Sequence, residues 1–298
     1  MDTNILLENG TNELEVLVFT IADRNYGINV AKIREIQPYT MITPVPNAHP
    51  NIEGVFMPRD VMITAISLRK CLGITDEPKG DGFLITTNFN KLNIAFHVDN
   101  VIGINRVSWT DIIKPDKTLN TEGAGVSTGI IKIDKKLIVI LDFEKIVTDI
   151  NPEIGLKVSD IERLGERSRN SHPLLIAEDS PLLSKLITDC LQKAGYTNLT
   201  VTLNGQEAWD RLCEYKEDGT YDEKVSCIIT DIEMPQMDGH HLTKLVKNDD
   251  VLSHIPVVIF SSLVNDEMRR KGEQLGADAQ LTKPEIGNLV NAIDQLVM

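Results

Sequence analysis

The first half of the chain alternates short apolar, β-branched runs with polar turns. Residues 14–22 and 26–30 flank the turn at 23–25 and predict a β-hairpin. Further strands are predicted at residues 52–57, 61–68, 83–87, 92–98, 101–107, 129–133 and 137–142, with brief helices near 68–72 and 143–148. Many short strands at this spacing favour antiparallel barrels or a sandwich.

The second half has a different pattern, in which short apolar strands alternate with helical periodicity. Apolar residues between 183 and 194 recur every three or four positions, and Gly195 then ends that helix. With the run at 174–177, strands are predicted at 199–203, 225–230, 256–260 and 278–282, and a last helix at 286–297. Five strands with intervening helices predict a doubly wound parallel sheet. Residues 151–171 are predicted to form a linker with one marginal helical segment.

Length and composition agree with two domains. A chain of 298 residues exceeds the roughly 100–200 residues of a usual domain. No apolar stretch approaches the roughly 20 residues that span a bilayer, and the first residues lack the basic flank of a signal peptide. We therefore expect a cytoplasmic protein without direct membrane insertion. Its four cysteines are scattered, which favours reduced and mostly buried thiols.

The net charge of −14 argues against a nucleic-acid partner. Most of the acidic excess lies in residues 151–298, and it repels phosphate backbones. The chain also lacks a clustered Lys/Arg stripe with interleaved aromatic residues.

Reactive side chains follow four of the predicted parallel strands. They are Glu178 and Asp179, Asp231, Ser261 and Lys283. Because the carboxyl ends of parallel strands share one edge of a sheet, we expect these side chains to lie close together.

Three clustered carboxylates need compensating charge. At roughly 5 Å and an effective dielectric of about 20, each pair repels by roughly 3 kcal/mol. Lys283 supplies one positive charge, and Mg²⁺ would supply two at hard oxygen ligands. The predicted ligands are Asp179, Asp231 and the backbone carbonyl of Glu233, with Glu178 close by. Such a site suits phosphoryl transfer, in which Asp231 attacks and becomes an acyl phosphate.

Each of these residues also has a simpler interpretation when taken alone. Asp179 could cap the helix that starts near Ser180, Lys283 could be a surface charge, and Ser261 could cap a helix.

Residues 172–298 resemble the receiver domain of two-component signalling. The resemblance is carried by the acidic pair, the run Asp-Ile-Glu-Met-Pro-Gln-Met-Asp-Gly at 231–239, the Ser261 hydroxyl and Lys283-Pro284. It implies a flavodoxin-like fold and an Asp231 that accepts phosphate from a histidine kinase. It further implies that Asp179 holds Mg²⁺, that Ser261 and Lys283 contact the phosphoryl group, and that dephosphorylation is autocatalytic.

Two positions depart from the receiver pattern. Gln280 stands where receivers often carry an aromatic residue, and Glu233 adds a carboxylate two residues after Asp231. We hypothesise that Glu233 hinders an attacking water and prolongs the life of the phosphoryl group.

The alternative function is an Mg²⁺-dependent phosphatase or phosphotransferase that works through an aspartyl phosphate.

The first 150 residues have the features of a binding module. His49 and His97 stand alone, and no phosphate-binding loop follows a strand. Residues 12–150 resemble the CheW chemotaxis coupling domain, an all-β fold of two small barrels. The similar stretches are 17–21, 26–28, 30–36, 52–55, Arg59 with 61–63, 68–69, 98–101, and 129–133 leading to 138–143. The sequence Met-Pro-Arg-Asp at 57–60 stands where that family usually has Asn-Leu-Arg-Gly.

Partner contacts are predicted for Val30, Ile33, Ile36 and Arg59, since exposed apolar side chains beside a fixed charge supply binding energy. The alternative for any β-branched residue is a place in the core.

A coupling domain followed by a receiver is the arrangement of the CheV chemotaxis proteins, which this chain resembles from end to end. The resemblance implies a scaffold that links chemoreceptor tips to the histidine kinase and is modulated by phosphorylation of Asp231. The pair His240-His241 is expected to be exposed rather than metal-binding, because adjacent residues diverge on a helix.

Overall fold

A computed structural model describes residues 12–89, 92–114, 125–152, 167–263, 266–283 and 285–297. The chain forms two units. The described part of the N-terminal unit comprises residues 14–107 and 111–152, with the gaps given above. That of the C-terminal unit comprises residues 12–13, 108–110 and 167–297. Residues 153–166 of the predicted linker lie outside the described residues, so the marginal helical segment predicted within 151–171 stays a prediction.

The N-terminal unit contains two five-stranded sheets. One has the strand order β8-β1-β2-β10-β9 and the other β3-β6-β7-β5-β4. The strands are β1 (Glu13–Ile21), β2 (Arg24–Asn29), β3 (Ile33–Pro38), β4 (Ile52–Phe56), β5 (Ile63–Ser67), β6 (Phe83–Phe89), β7 (Leu92–Val98), β8 (Asn100–Ser108), β9 (Ser127–Ile133) and β10 (Lys136–Leu141). Two short helices, α1 (Leu68–Cys71) and α2 (Phe143–Ile150), accompany them. The predicted hairpin and both predicted short helices are confirmed.

Within the described residues, two hairpins of this unit have fully described two-residue loops. Ile21 pairs with Arg24 across Ala22 and Asp23, whose φ angles are 50° and 61°. The loop between β9 and β10 has the same form, with φ angles of 46° and 66° at residues 134 and 135. Left-handed φ at both central residues is the geometry of type I′ turns, which match the twist of the flanking strands.

The core of the N-terminal unit is built from both sheets and closed by α2. Phe19 of β1 and Phe96 of β7 both pack against Phe143 at the start of α2, with ring centroids 6.5 Å and 4.7 Å away. All three rings are fully buried.

The sequence pattern missed β3. Its apolar residues Ile33, Ile36 and Pro38 do not alternate with period two, so the pattern does not indicate a strand. Its pairing with β6, which runs from Ile33↔Thr87 to Pro38↔Phe83, forms it instead.

The C-terminal unit is a doubly wound parallel sheet, as predicted. Its strand order is β12-β11-β13-β14-β15. The strands are β11 (Leu174–Ala177), β12 (Leu199–Thr202), β13 (Cys227–Thr230), β14 (Val257–Ser261) and β15 (Ala279–Thr282). The helices are α3 (Pro181–Lys193), α4 (Gly205–Glu217), α5 (Tyr221–Lys224), α6 (Gly239–Asn248), α7 (Asp266–Gln274) and α8 (Ile286–Val297). The strand order reverses at β11, the position where such sheets open a crevice for ligands.

The two faces of this sheet carry separate apolar layers. Alternate residues of β11 point to opposite sides, with Leu174 and Ile176 in the layer of α3 and α8. Leu175 and Ala177 lie in the layer of α4 and α6. Side-chain caps from Ser180, Asn204 and Asp238 start α3, α4 and α6.

Two general features complete the fold. Among the described residues, no helix is long and apolar enough to cross a membrane. The four cysteines are free thiols, with Cys190 and Cys227 buried and Cys71 and Cys213 partly exposed.

Candidate functional site

Glu178 and Asp231 are neighbours at the carboxyl edge of the parallel sheet. Ala177 of β11 pairs with Thr230 of β13, so the residue after each strand lies beside its counterpart. Carboxylate oxygens of Glu178, Asp179 and Asp231 all lie within 4.8 Å of one another. The predicted acidic cluster therefore forms.

Lys283 reaches this cluster from the end of β15. Its Nζ donates to Glu178 Oε2 at 2.8 Å and to Asp231 Oδ2 at 3.0 Å. The Lys283 side chain is only 3% exposed, so these charge-assisted bonds are shielded from water. The alternative that Lys283 is a surface charge is wrong.

Burial raises the pKa of Glu178 by more than the charge of Lys283 lowers it. The loss of water raises the pKa of Glu178 to about 8; Lys283 opposes the shift, and the charges of Asp231 and Asp179 add to it. The backbone N–H of Ser180 donates to Glu178 Oε1 at 3.1 Å and fixes this side chain. Three carboxylates and one lysine leave this pocket short of positive charge.

Asp231 is held by the backbone as well as by Lys283. Its N–H donates to Ala177 O at 3.0 Å, and its Oδ1 accepts from Ile232 N at 2.7 Å. The residue is 7% exposed, so Asp231 is largely shielded from solvent at the sheet edge.

Ser261 ends β14 at the same edge of the sheet. Since Thr230 pairs with Ile259, Ser261 lies one residue beyond the level of Asp231. Its Oγ accepts from Leu263 N at 3.2 Å, and its carbonyl accepts from Lys283 N at 3.1 Å. Ser261 is thus buried and links two loops at the pocket.

The run that follows Asp231 packs the site. Met234 and Met237 are buried in the layer below α4 and α6. A Cβ on Gly239 would lie 1.9 Å from Asp231 O, so only glycine lets α6 start this close to the Asp231 backbone. Asp238 Oδ1 accepts from His241 N at 2.7 Å and caps α6. An Asp-Gly pair before a helical pattern is a capping signal that the sequence analysis did not use.

Asp179 and Glu233 are both half-buried. The cap of α3 is Ser180, whose Oγ accepts from Leu183 N, so the interpretation of Asp179 as that cap is wrong. Glu233 lies two residues beyond Asp231, and its carbonyl as a metal ligand stays a prediction.

The expected exposure of His240 is wrong. His240 is 1% exposed, and burial, with the charge of Lys271, lowers the pKa of its imidazole to about 3. It shares the inner face of α6 with Thr243 and Val246. The three-residue spacing of His240, Thr243 and Val246 was the signal available in the sequence. Of the two adjacent histidines, only His241 is partly exposed.

Gln280 is buried between β15 and α7. Its Nε2 donates to Arg269 O at 2.7 Å. A Cβ on Gly272 would lie 2.3 Å from Gln280 Oε1, so this glycine makes room for the amide. The side chain at the usual aromatic position is therefore fixed inside the unit.

The four predicted partner residues differ in exposure. Val30 and Ile33 are partly buried and pack on the N-terminal core. Ile36 is 38% exposed, and the Arg59 side chain is 84% exposed with a 3.1 Å ion pair to Glu35.

Asp60 takes the backbone shape that glycine would supply. Arg59 and Asp60 have φ angles of 52° and 62°, both left-handed. Aspartate tolerates this region better than most residues, so the turn forms without glycine at a cost in strain.

His97 is not isolated, contrary to expectation. Its Nδ1 lies 2.9 Å from Glu53 Oε1 and its Nε2 2.8 Å from Asp81 O. The hydrogen bond and charge of Glu53 raise the pKa of His97 despite its burial. This pair joins β4 to β7 across β5.

Comparisons with known proteins agree with both units. The CheW-like domain family matches residues 15–151, and the response regulator receiver domain family matches residues 174–294. Chemotaxis protein CheV2 of Helicobacter pylori is 30% identical over 295 residues, which cover 92% of this chain and 92% of that protein. CheV3 of the same organism is 29% identical over 281 residues, or 91% of this chain and 88% of that protein.

A solved structure is also similar. The scaffolding protein TtCheW of Thermoanaerobacter tengcongensis has a TM-score of 0.41 and 26% identity, and covers 44% of this chain and 84% of its own. The similarity to CheV2 extends through both units and nearly the whole of both chains. The chain therefore belongs to the CheV family of chemotaxis proteins, coupling proteins in which a CheW-like domain is followed by a receiver domain.

Proposed function

We propose that Asp231 accepts a phosphoryl group from a chemotaxis histidine kinase and that this modification modulates coupling. The observation that supports this most is the meeting of three carboxylates and one buried lysine at a single sheet edge. The Asp231 carboxylate would attack phosphorus, the bond from phosphorus to the kinase imidazole would break, and the imidazole would leave with that electron pair. Subsequent hydrolysis at Asp231 would be autocatalytic.

The donor set fits Mg²⁺. Asp179, Asp231 and the Glu233 carbonyl would hold the ion, with Glu178 beside it, because hard carboxylate and carbonyl oxygens are the ligands it prefers. Bound Mg²⁺ would neutralise charge on the transferring oxygens. Lys283 and Ser261 would contact the phosphoryl group from the neighbouring strand ends.

Replacement of Asp231 by Asn is expected to abolish phosphate uptake, since it removes the nucleophile and keeps the shape. Phosphorylated kinase and Mg²⁺ would be added to the full chain, and the gain of phosphate measured by mass spectrometry. Glu214→Gln is a matched carboxylate-to-amide control on exposed α4. Continued labelling of Asp231→Asn would refute the assignment.

Glu233 is proposed to prolong the phosphorylated state. Its carboxylate follows the acceptor by two residues and would disfavour an attacking water. Glu233→Ala is expected to raise the hydrolysis rate, measured as loss of phosphate from purified phosphoprotein after removal of the kinase. A rate that is unchanged or lower would contradict this role.

We further propose that the N-terminal unit docks on chemoreceptor tips and on the kinase in the cytoplasm, through a surface that includes Ile36 and Arg59. Val30 and Ile33 would form the less exposed border of this surface. Arg59 is mostly solvated, so its loss costs the fold little and a loss of binding is informative.

The docking surface can be tested with matched isoleucines. Ile36→Ser and Arg59→Ala are expected to weaken co-sedimentation with receptor membranes and kinase by about tenfold each, the usual order for an interface residue worth more than 1 kcal/mol. Ile102→Ser serves as the control, because Ile102 is also exposed but lies on β8 of the other sheet. Equal binding by all three variants would remove this surface from the proposal.

A further inference from the structure

Residues 167–170 are fastened to the C-terminal unit just before its first strand. Asn170 N donates to Gly195 O at 2.8 Å, and Thr197 N donates to Asn170 O at 3.1 Å. Gly195 has a φ of 100°, and a Cβ there would lie 2.4 Å from Ser168 O. The segment is therefore pressed against the turn between α3 and β12.

The Arg167 guanidinium is the strongest part of this attachment. Its Nε donates to Ala194 O at 2.8 Å, and its Nη2 lies 2.6 and 2.7 Å from the two oxygens of Asp294 on α8. Tyr196 Oη donates to the same carboxylate at 2.6 Å. The Arg167 and Asp294 side chains are 20% and 16% exposed, so this is a shielded, charge-assisted network rather than a surface ion pair.

Helix α8 joins this network to the acceptor pocket. It begins at Ile286, three residues after Lys283, whose Nζ contacts Asp231. Ile286 and Asp294 are separated by about 12 Å along the helix, at about 1.5 Å per residue. Four buried apolar residues seat α8 on the sheet as one body: Ile286, Leu289, Val290 and Ile293.

We propose that α8 transmits the phosphorylation state of Asp231 to the chain segment that enters the receiver. The Arg167–Asp294 contact, called the joint below, is the contact that breaks. The proposal rests on the proposed phosphorylation of Asp231. When Lys283 turns to a phosphoryl group, the start of α8 shifts, and Asp294 moves relative to Ala194 O. The rigid guanidinium of Arg167 cannot then keep its contacts with both Asp294 and Ala194 O. Gln280, at the usual aromatic position, is held inside the unit by its bond to Arg269 O, and the proposed route to the linker runs through α8 instead.

The rate of trypsin cleavage after Arg167 measures directly whether this joint is open, because trypsin must take the Arg167 side chain into its own pocket to cut after it. In the full chain without Mg²⁺, Asp294→Asn is expected to raise cleavage after Arg167 by about fivefold, as for loss of a partly shielded ion pair. Tyr196→Phe keeps the ion pair and Glu214→Gln lies elsewhere, so both should cleave like the parent protein. Peptide masses identify the cut.

Transmission from Asp231 to Arg167 is tested with beryllofluoride and Mg²⁺ as the phosphoryl analogue. It is expected to raise cleavage after Arg167 in the parent protein by a similar factor and to leave Asp294→Asn unchanged, since its joint is already open. Hydrogen exchange in the peptide that contains Asp231 reports whether the analogue binds.

Three results would overturn the proposal. Parent-like cleavage of Asp294→Asn would show that Arg167 is not held, and a bound analogue without effect on Arg167 would show that α8 does not transmit. Absence of analogue binding would overturn the phosphorylation of Asp231 together with the route, while the comparison of Asp294→Asn with its controls would still decide whether the joint exists.

Discussion

The two units differ in where they bury charge. Among the described residues of the N-terminal unit, Lys32 is the one charged side chain classed as buried, and it pairs with Glu144 at 3.4 Å. The C-terminal unit buries Glu178, Asp231 and Lys283 at one sheet edge. Burial of charge is costly unless it is paired, so its concentration makes the C-terminal unit the candidate for the proposed phosphorylation chemistry.

The backbone shows the same contrast. In the C-terminal unit, Gly239 lets α6 begin against the Asp231 carbonyl, where no side chain fits. In the N-terminal unit, Asp60 occupies a left-handed position that glycine would fill more easily. The backbone at Asp231 is therefore sterically exacting, whereas the turn beside Arg59 tolerates strain.

The largest expected effect is that of Gly239→Ala. The added Cβ would meet Asp231 O at 1.9 Å, so we expect the C-terminal unit to lose about 3 kcal/mol of unfolding free energy. Hydrogen exchange, measured peptide by peptide, should show the loss in residues 174–297 alone. Gly80→Ala is the control, because nothing lies within 4 Å of its Cβ. A loss spread equally over both units would break the contrast.

An intermediate effect is expected from His240 at acid pH. Its pKa is about 3 in the folded unit and near 6.5 when unfolded, so the unfolded state binds more protons between these values. The contribution of neutral His240 to the unfolding free energy is complete above about pH 6.5. It is lost as the pH falls, and the loss at pH 5 is about 1–2 kcal/mol.

This pH dependence is measured as the change in unfolding free energy of the C-terminal unit between pH 7.5 and pH 5. His240→Gln should reduce the change, because it removes the buried imidazole. His254→Gln is the control, because His254 is a mostly exposed histidine of the same unit. Identical pH profiles for the parent protein and His240→Gln would contradict the assignment.

The smallest effect is expected from Asp60→Gly, and it has the opposite sign. Glycine adopts a φ of 62° without strain, so the N-terminal unit should gain about 0.5–1 kcal/mol in unfolding free energy. Denaturant unfolding of residues 12–150 measures it. A loss of stability would mean that the Asp60 side chain supports the turn.

Motifs made the acidic pocket predictable, whereas the contacts around it were not predictable from the sequence. Glu178, Asp179, Asp231, Ser261 and Lys283 follow predicted strands, and parallel topology alone brings them to one edge. The sequence pattern did not place His240 inside, because adjacent histidines on a helix face different ways and only packing decides which faces the core. Nor did it join Arg167 to Asp294, which are 127 residues apart.

Local sequence determined the periodicity of both halves, the two units and the residues that end each parallel strand, because strand and helix periods depend on near neighbours. Tertiary structure decided the strand β3, the pairing of His97 with Glu53, the burial of His240 and the anchoring of Arg167. Each of these depends on a partner distant in sequence, and its energy exists only after the chain has folded and excluded water from the contact.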